Sequence, residues 1–100
     1  MPSFIACYDL KETNPSPHTK FLEKALANKW FLWIRASNGK AYRLPNTTLI
    51  GIFATRDAAV AALEKTRADT QAELGRTVTM PKWIVALYDG AQFDSDEMSA

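Results

Sequence analysis

Asp9 is the residue whose type and position most favour chemistry. It directly follows the short apolar run of residues 4–8, which predicts a β-strand, so its carboxylate stands where the chain leaves the sheet. A single carboxylate holds Mg²⁺ poorly, because this ion prefers six oxygen ligands and several waters. A two-fold axis near the strand end would bring two copies of Asp9 together, and the pair could bind a hydrated ion that activates water at a phosphodiester. The alternative is that Asp9 is structural and caps the turn after the strand.

Other residue types that often do chemistry are scarce. Cys7 is the only cysteine, which excludes an intramolecular disulfide, and inside a strand it is interpreted as a buried, inert thiol. His18 is the only histidine, and in the first turn of a predicted helix it is interpreted as an exposed imidazole without a role. The sequence has no phosphate-binding glycine loop and no Gly-x-Ser-x-Gly elbow.

Basic side chains are candidates for contact with nucleic-acid phosphates. The candidates are Arg35, Arg43, Lys65 and Arg67. A solvated helix face is the alternative for the last two, and Thr47 or Thr48 would assist by hydrogen bonding. Twelve basic residues stand against eleven acidic ones, giving a formal net charge of +1, so the chain as a whole is not predicted to attract nucleic acid strongly.

The elements that must position these residues follow the order strand, helix, strand, strand, helix, strand. The predicted strands cover residues 4–8, 30–36, 47–54 and 83–88. The first helix is predicted from Ser16-Pro17 to about Asn28, and the second from a cap at Thr55 to Gly75. Asn38-Gly39 predicts a hairpin turn.

This order predicts an α+β protein with a ferredoxin-like βαββαβ fold, a two-layer structure with both helices on one face of an antiparallel sheet. One such domain is expected over residues 1–91, followed by a polar, acidic tail over residues 92–100. The N-terminus has no basic start and no apolar run approaches the length of a membrane span, so a cytoplasmic protein with no membrane contact is expected.

The predicted strands are apolar on both faces, as residues 30–34 (Trp-Phe-Leu-Trp-Ile) illustrate. A sheet with one face in water should alternate apolar and polar residues. Leaving such a face bare would exceed the largest apolar patch of a typical monomer, roughly 300–600 Å². A second copy is the simplest cover, so a homodimer is expected; the alternative is that the tail, anchored by Phe93, folds across part of the face. The candidates for the dimer face are Tyr8, Phe31, Trp33, Phe53 and Trp83.

Two segments carry a family resemblance. The opening Phe4-Ile5-Ala6-Cys7-Tyr8-Asp9-Leu10 resembles the strand and Tyr-Asp pair that begin the small CRISPR-associated nuclease and adaptation-subunit family and the related virulence-associated protein D toxins. The segment from Asn46 to Phe53 (NTTLIGIF) is similar to that family's third strand, and the order of elements agrees over about residues 3–90.

The resemblance implies a ferredoxin-like homodimer joined through its sheets, with Asp9 in the place of the metal-binding aspartate. Some members of the family are metal-dependent endonucleases on RNA or DNA, and others are mainly structural. The expected function is therefore a Mg²⁺-dependent phosphodiesterase that uses Asp9 from both protomers. The alternative is a non-catalytic homodimeric interaction module, which is favoured by the single lysine of residues 11–17 where the family is rich in arginine.

Overall fold

The chain folds into two antiparallel sheets and two helices, as given by a computed structural model that describes residues 1–99. The elements are β1 (Ser3–Asp9), α1 (His18–Ala27), β2 (Trp30–Phe31), β3 (Trp33–Arg35), β4 (Ala41–Arg43), β5 (Thr48–Ile52), α2 (Arg56–Leu74), β6 (Lys82–Tyr88) and β7 (Met98–Ser99). The larger sheet has the strand order β2-β5-β1-β6 and the smaller one the order β3-β4-β7. The prediction of an α+β protein is confirmed.

The central strand β1 builds the core by simple alternation. Phe4, Ala6 and Tyr8 are buried on the side of the sheet that faces the helices, while Cys7 points to the opposite side and is exposed. The Tyr8 ring packs on Phe21 of α1, with ring centroids 4.6 Å apart. These contacts fix the end of β1, and with it the position of Asp9.

Both helices begin and end close to the predicted residues. Thr55 caps α2 by accepting a hydrogen bond from the backbone nitrogen of Ala58 at 3.1 Å, and Gly75 ends it in the left-handed region with φ +66°. The buried face of α2 includes Thr66 and Thr70, whose hydroxyls bond to backbone carbonyls one turn earlier. In the described part of the chain, neither helix is long and apolar enough to cross a membrane.

The second strand is not the continuous one that the sequence predicts. It breaks at Leu32, so that β2 belongs to the larger sheet and β3 to the smaller one. The Leu32 carbonyl accepts a hydrogen bond from the backbone nitrogen of Leu44 at 2.9 Å, which attaches the break to the end of β4. The predicted Asn38-Gly39 turn does join β3 to β4, with φ +84° at the glycine.

The segment predicted as a tail packs on the domain. The Phe93 ring meets the Tyr42 ring edge-on at 5.6 Å, and the Glu97 carbonyl accepts a hydrogen bond from the backbone nitrogen of Arg43. Residues 98–99 then pair with β4 as β7. The C-terminal residues up to 99 therefore belong to the smaller sheet.

The side of the larger sheet without helices, called here the helix-free face, is partly covered by the same chain. The smaller sheet and residues 91–94 lie over Ile5, Ile50 and Tyr88 and leave an apolar groove of about 410 Å³ between them. Phe31, Ile52 and Ile84 stay uncovered, at 50%, 53% and 61% exposure. The alternative in which the tail, anchored by Phe93, folds across part of this face therefore agrees with the structure.

The structure corrects the candidates for the dimer face. Tyr8 and Phe53 are 4% and 8% exposed and lie under the helices, so they cannot contact a second copy there. Trp83 stands directly across from Tyr8 and so shares the helix side, at an edge that the helices leave open. Trp33 belongs to the smaller sheet, and of the five candidates only Phe31 lies on the helix-free face.

Thr55→Ala tests the cap that starts α2. The free energy of unfolding is expected to fall by about 1 kcal/mol, because the Ala58 N–H loses its side-chain acceptor. Urea denaturation followed by circular dichroism measures the change. Thr77→Ala, at an exposed position between α2 and β6, is the control and is expected to change stability by less than about 0.5 kcal/mol; an equal loss in both variants would contradict the role of the cap.

Candidate functional site at the end of β1

Asp9 is the last residue of β1, and its side chain is exposed. Because side chains alternate along a strand, Asp9 and Cys7 lie on the helix-free face while Tyr8 lies on the helix side. Lys82 stands directly across from Asp9 in the β1–β6 register and brings a positive charge to the same place. A shallow pocket of about 290 Å³, called here the Asp9 pocket, is lined by Cys7, Tyr8, Asp9, Thr47, Lys82, Trp83 and Ile84.

A second depression, called here the Tyr8 cleft, opens beside the same strand end. It has a volume of about 290 Å³ and is lined by Tyr8, His18, Leu22, Arg43, Asn46, Thr47 and Thr48. Burial raises the pKa of Tyr8 to about 12, against a smaller, opposite effect of the Arg43 guanidinium. The hydroxyl is therefore a hydrogen-bond donor at neutral pH.

Thr47 connects the two depressions, since it lines both. It adopts a left-handed backbone conformation with φ +59°, its carbonyl accepts a hydrogen bond from the backbone nitrogen of Tyr8 at 3.1 Å, and its hydroxyl donates to the Asn46 carbonyl at 2.6 Å. These bonds hold the segment before β5 against the end of β1. Thr48 faces Cys7 across the sheet, with Oγ1 and Sγ 3.9 Å apart.

The predicted basic residues do not gather in one place. Arg43 lines the Tyr8 cleft and donates from Nη1 to the Leu44 carbonyl at 3.0 Å. Arg35 lies at the other end of the hairpin and donates to the Gly39 carbonyl at 2.6 Å. Of the four predicted phosphate contacts, Arg43 alone reaches the end of β1.

Lys65 and Arg67 lie on α2 and are already paired. Lys65 Nζ is 2.8 Å from Asp69, and Arg67 Nη2 is 2.6 Å from Glu64. The hydrogen bond from Arg67 holds the pKa of Glu64 below its usual value, and the same bond raises the pKa of Arg67. Lys65 thus lies on a solvated helix face, whereas Arg67 is partly buried and also donates to the Val78 carbonyl at 3.1 Å.

Two interpretations of lone side chains are corrected at this site. Cys7 is exposed rather than buried, because it points to the helix-free face near the edge that the smaller sheet leaves open. His18 is not idle: its Nε2 lies 2.6 Å from Glu12 Oε1, and its ring lines the Tyr8 cleft. The predicted helix start at Ser16-Pro17 places this histidine in the first turn, but only the fold shows that this turn stands beside Tyr8.

A metal site within one chain is not assembled. Among residues 1–99, no three histidine, cysteine, aspartate or glutamate side chains come close enough together to hold a metal ion. Asp9 supplies the hard oxygen donor that Mg²⁺ prefers, but it needs further carboxylate help. Further oxygen ligands for Mg²⁺ at Asp9 would have to come from water, a bound phosphate or a second copy of the chain.

No family model matches the chain, and neither a curated protein nor a solved structure matches it.

Proposed function

We propose that the chain is a Mg²⁺-dependent phosphodiesterase acting on RNA or DNA, a diverged relative of the small CRISPR-associated nucleases and the virulence-associated protein D toxins. Asp9 from both protomers of a homodimer holds the ion. One observation carries the proposal: an exposed carboxylate ends the rigid central strand, on the same face of the sheet as its uncovered apolar residues. The neighbour order β2-β5-β1-β6, with α1 and α2 as crossovers, supports a ferredoxin-like fold.

The second copy is the proposed cover of the helix-free face. Phe31, Ile52 and Ile84 are each at least half exposed there, whereas the chain's own smaller sheet covers the middle of the face. Ile84 and Asp9 line the same pocket, so a two-fold axis that buries Ile84 also brings the two Asp9 carboxylates near each other. Burial of the apolar residues and completion of the metal site then follow from one contact.

The chain's own residues provide the rest of the site. Bound Mg²⁺ would supply Lewis-acid activation of water and of the phosphodiester. Lys82, directly across from Asp9, and Arg43, at the far side of Tyr8, place positive charge on two sides of the strand end. A nucleic-acid strand that crosses the end of β1 would meet both cations.

The second candidate is a non-catalytic homodimeric interaction module. The ion pairs of Lys65 and Arg67 favour it, because they leave α2 without free cations for nucleic acid at these two positions. The apolar helix-free face serves this candidate equally well. The two candidates differ in whether the carboxylate of Asp9 has a chemical role.

Removal of the metal separates them. Purified protein is incubated with labelled RNA and with duplex DNA, in Mg²⁺, in excess chelator, and in chelator followed by excess Mg²⁺. Cleavage is expected in Mg²⁺, is expected to fall to background with chelator, and is expected to return when the metal is restored, because Asp9 acts only through the ion. Cleavage that persists in chelator contradicts the proposal, and no cleavage of either substrate favours the interaction module.

A further inference from the structure

We propose that the Tyr8 cleft is a phosphate-binding site that takes the phosphate group of a nucleotide or of a nucleic-acid chain. The inference deepens the proposed function, and it rests on that function only for the expectation that the phosphate belongs to a nucleic acid. Three features carry it: a hydroxyl that reaches the cleft from a buried residue and has no partner among residues 1–99, a cation beside that hydroxyl, and a helix N-terminus at the rim.

The Tyr8 hydroxyl is the donor, and it belongs to a buried residue. The residue is 4% exposed, its ring is held by Phe21, and it lines the cleft. The Tyr42 hydroxyl accepts a hydrogen bond from Asn38, whereas the Tyr8 hydroxyl takes part in none of the side-chain hydrogen bonds found among residues 1–99. A rigidly held hydroxyl that lines the cleft is therefore free to donate to an acceptor that enters it.

Arg43 is the cation. Its backbone is bonded to Glu97 and paired with Trp33, and among residues 1–99 only its Nη1 forms a side-chain hydrogen bond, to the Leu44 carbonyl. A guanidinium has five N–H donors in a planar fork that matches phosphate oxygens. The bond from Nη1 to the Leu44 carbonyl holds the guanidinium at the cleft, where its other donors are free to bind a phosphate.

The rim of the cleft adds favourable electrostatics. His18 begins α1, a ten-residue helix with no acidic residue in its first turn, so the partial positive charge of its N-terminus is not neutralised from within the helix. Glu12 pairs with this rim through His18, and Asp94, Asp96 and Glu97 line a neighbouring pocket that shares Arg43 and Asn46. Asn46 also lines the cleft, and its side-chain amide is a hydrogen-bond donor.

The size of the cleft fits such a ligand. Its volume of about 290 Å³ is roughly ten times the ~30 Å³ that one water occupies in the liquid, which leaves room for a phosphate and part of the attached sugar. Tyr8 and Thr47 line both the cleft and the Asp9 pocket, so the two depressions adjoin each other. A phosphate held here would belong to a nucleotide next to the one that reaches Asp9.

The test measures binding of three probes to the full chain: inorganic phosphate, a nucleoside monophosphate and a short single-stranded oligonucleotide. Arg43→Gln is expected to weaken binding of inorganic phosphate by about tenfold or more, the usual loss for one charge-assisted hydrogen bond. Arg35→Gln is the matched control, since it removes the same charge from the same small sheet outside the cleft, and it is expected to bind within about twofold of the unchanged protein. Titration calorimetry gives the affinities, and thermal melting checks that both variants are folded.

Tyr8→Phe provides a second variant that keeps the ring on Phe21 and removes only the hydroxyl. It is expected to weaken phosphate binding about threefold to tenfold. Equal losses in Arg35→Gln and Arg43→Gln, or unchanged binding in Arg43→Gln and Tyr8→Phe, would overturn the site. Tighter binding of the oligonucleotide than of the monophosphate assigns the phosphate to a nucleic-acid chain, and equal binding assigns it to a free nucleotide.

Failure of this inference and failure of the proposed function give different results. Asp9→Asn is expected to bind phosphate as the unchanged protein does, because Asp9 does not line the Tyr8 cleft. Mg²⁺-dependent cleavage without phosphate binding in the cleft overturns the inference alone. Phosphate binding that needs Arg43, in a protein that cleaves nothing, overturns the phosphodiesterase alone.

Discussion

Asp9→Asn is expected to lower the rate of Mg²⁺-dependent cleavage at least about 100-fold. The change removes one negative charge from each protomer at the shared metal, and metal-ion catalysis contributes several kcal/mol of charge stabilisation, at about 1.4 kcal/mol for each factor of ten. The side chain is exposed at the end of β1, and asparagine has nearly the same size, so the fold is expected to be retained. Initial cleavage rates at saturating Mg²⁺ measure the effect.

The chain offers a matched control in Asp89→Asn. Asp89 follows Tyr88 at the end of β6 as Asp9 follows Tyr8 in β1, and it is exposed as well. Because β6 runs antiparallel to β1, Asp89 lies at the opposite end of the sheet. Its removal is expected to leave the rate within about twofold. A cleavage rate in Asp9→Asn equal to that of the unchanged protein would remove Asp9 from the reaction, and equal losses in both variants would point to a general charge effect.

Local chemistry in the sequence was enough to predict most of the element boundaries. Thr55 and Gly75 mark the ends of α2 because a hydroxyl can accept the first N–H groups of a helix and glycine tolerates positive φ. Asn38-Gly39 marks a turn for the same backbone reason. Such features act within a few residues, so they can be identified without knowledge of the fold.

Of the smaller sheet, only the hairpin at Asn38-Gly39 could be predicted in the same way, and its separation from the larger sheet could not. The run of residues 30–36 is apolar at nearly every position, so no change of periodicity marks the break at Leu32 where the strand passes from one sheet to the other. The tail is polar, and its pairing with β4 depends on backbone bonds such as that from Arg43 to Glu97, which leave no pattern in the side chains. Both features depend on long-range partners.

Only one part of the candidate site, Asp9, could be predicted from the sequence, because the rest also depends on long-range partners. Asp9 could be placed because its position depends on one strand, whereas the Tyr8 cleft needs α1, β4 and the segment before β5 to meet. The sequence predicts Tyr8 at a dimer face, because the alternation of side chains along a strand shows which residues share a face of the sheet but not which face the helices cover. In the structure, the helices cover its side, and the same burial that removes Tyr8 from any sheet contact places it in the wall of the cleft.

Ile84→Lys is expected to convert the protein from a dimer to a monomer, with a dissociation constant raised about 100-fold or more. Ile84 is 61% exposed on the helix-free face and lines the Asp9 pocket, so in the proposed dimer it is buried close to the two-fold axis. Two lysines there would be desolvated and would repel each other across the two-fold axis, at a cost of several kcal/mol. Light scattering over a range of concentrations distinguishes a dimer from the 11.2 kDa single chain.

Leu26→Lys is the control for this change, because Leu26 is an apolar residue at 51% exposure on α1, away from the helix-free face, and the variant is expected to remain dimeric.

A lysine at position 84 also stands beside Asp9, so a second variant, Ile52→Lys, separates loss of the dimer from local interference. Ile52 faces Ser3 at the far end of β1 and does not line the Asp9 pocket. The Ile52→Lys substitution is therefore expected to dissociate the dimer and to leave that pocket unchanged. If Ile52→Lys is monomeric and has lost Mg²⁺-dependent cleavage, the metal depends on both protomers; a monomer that cleaves at the full rate means that one Asp9 is sufficient. If the unchanged protein scatters as a single chain at every concentration, the proposed dimer is wrong. The uncovered apolar residues of the helix-free face then face water.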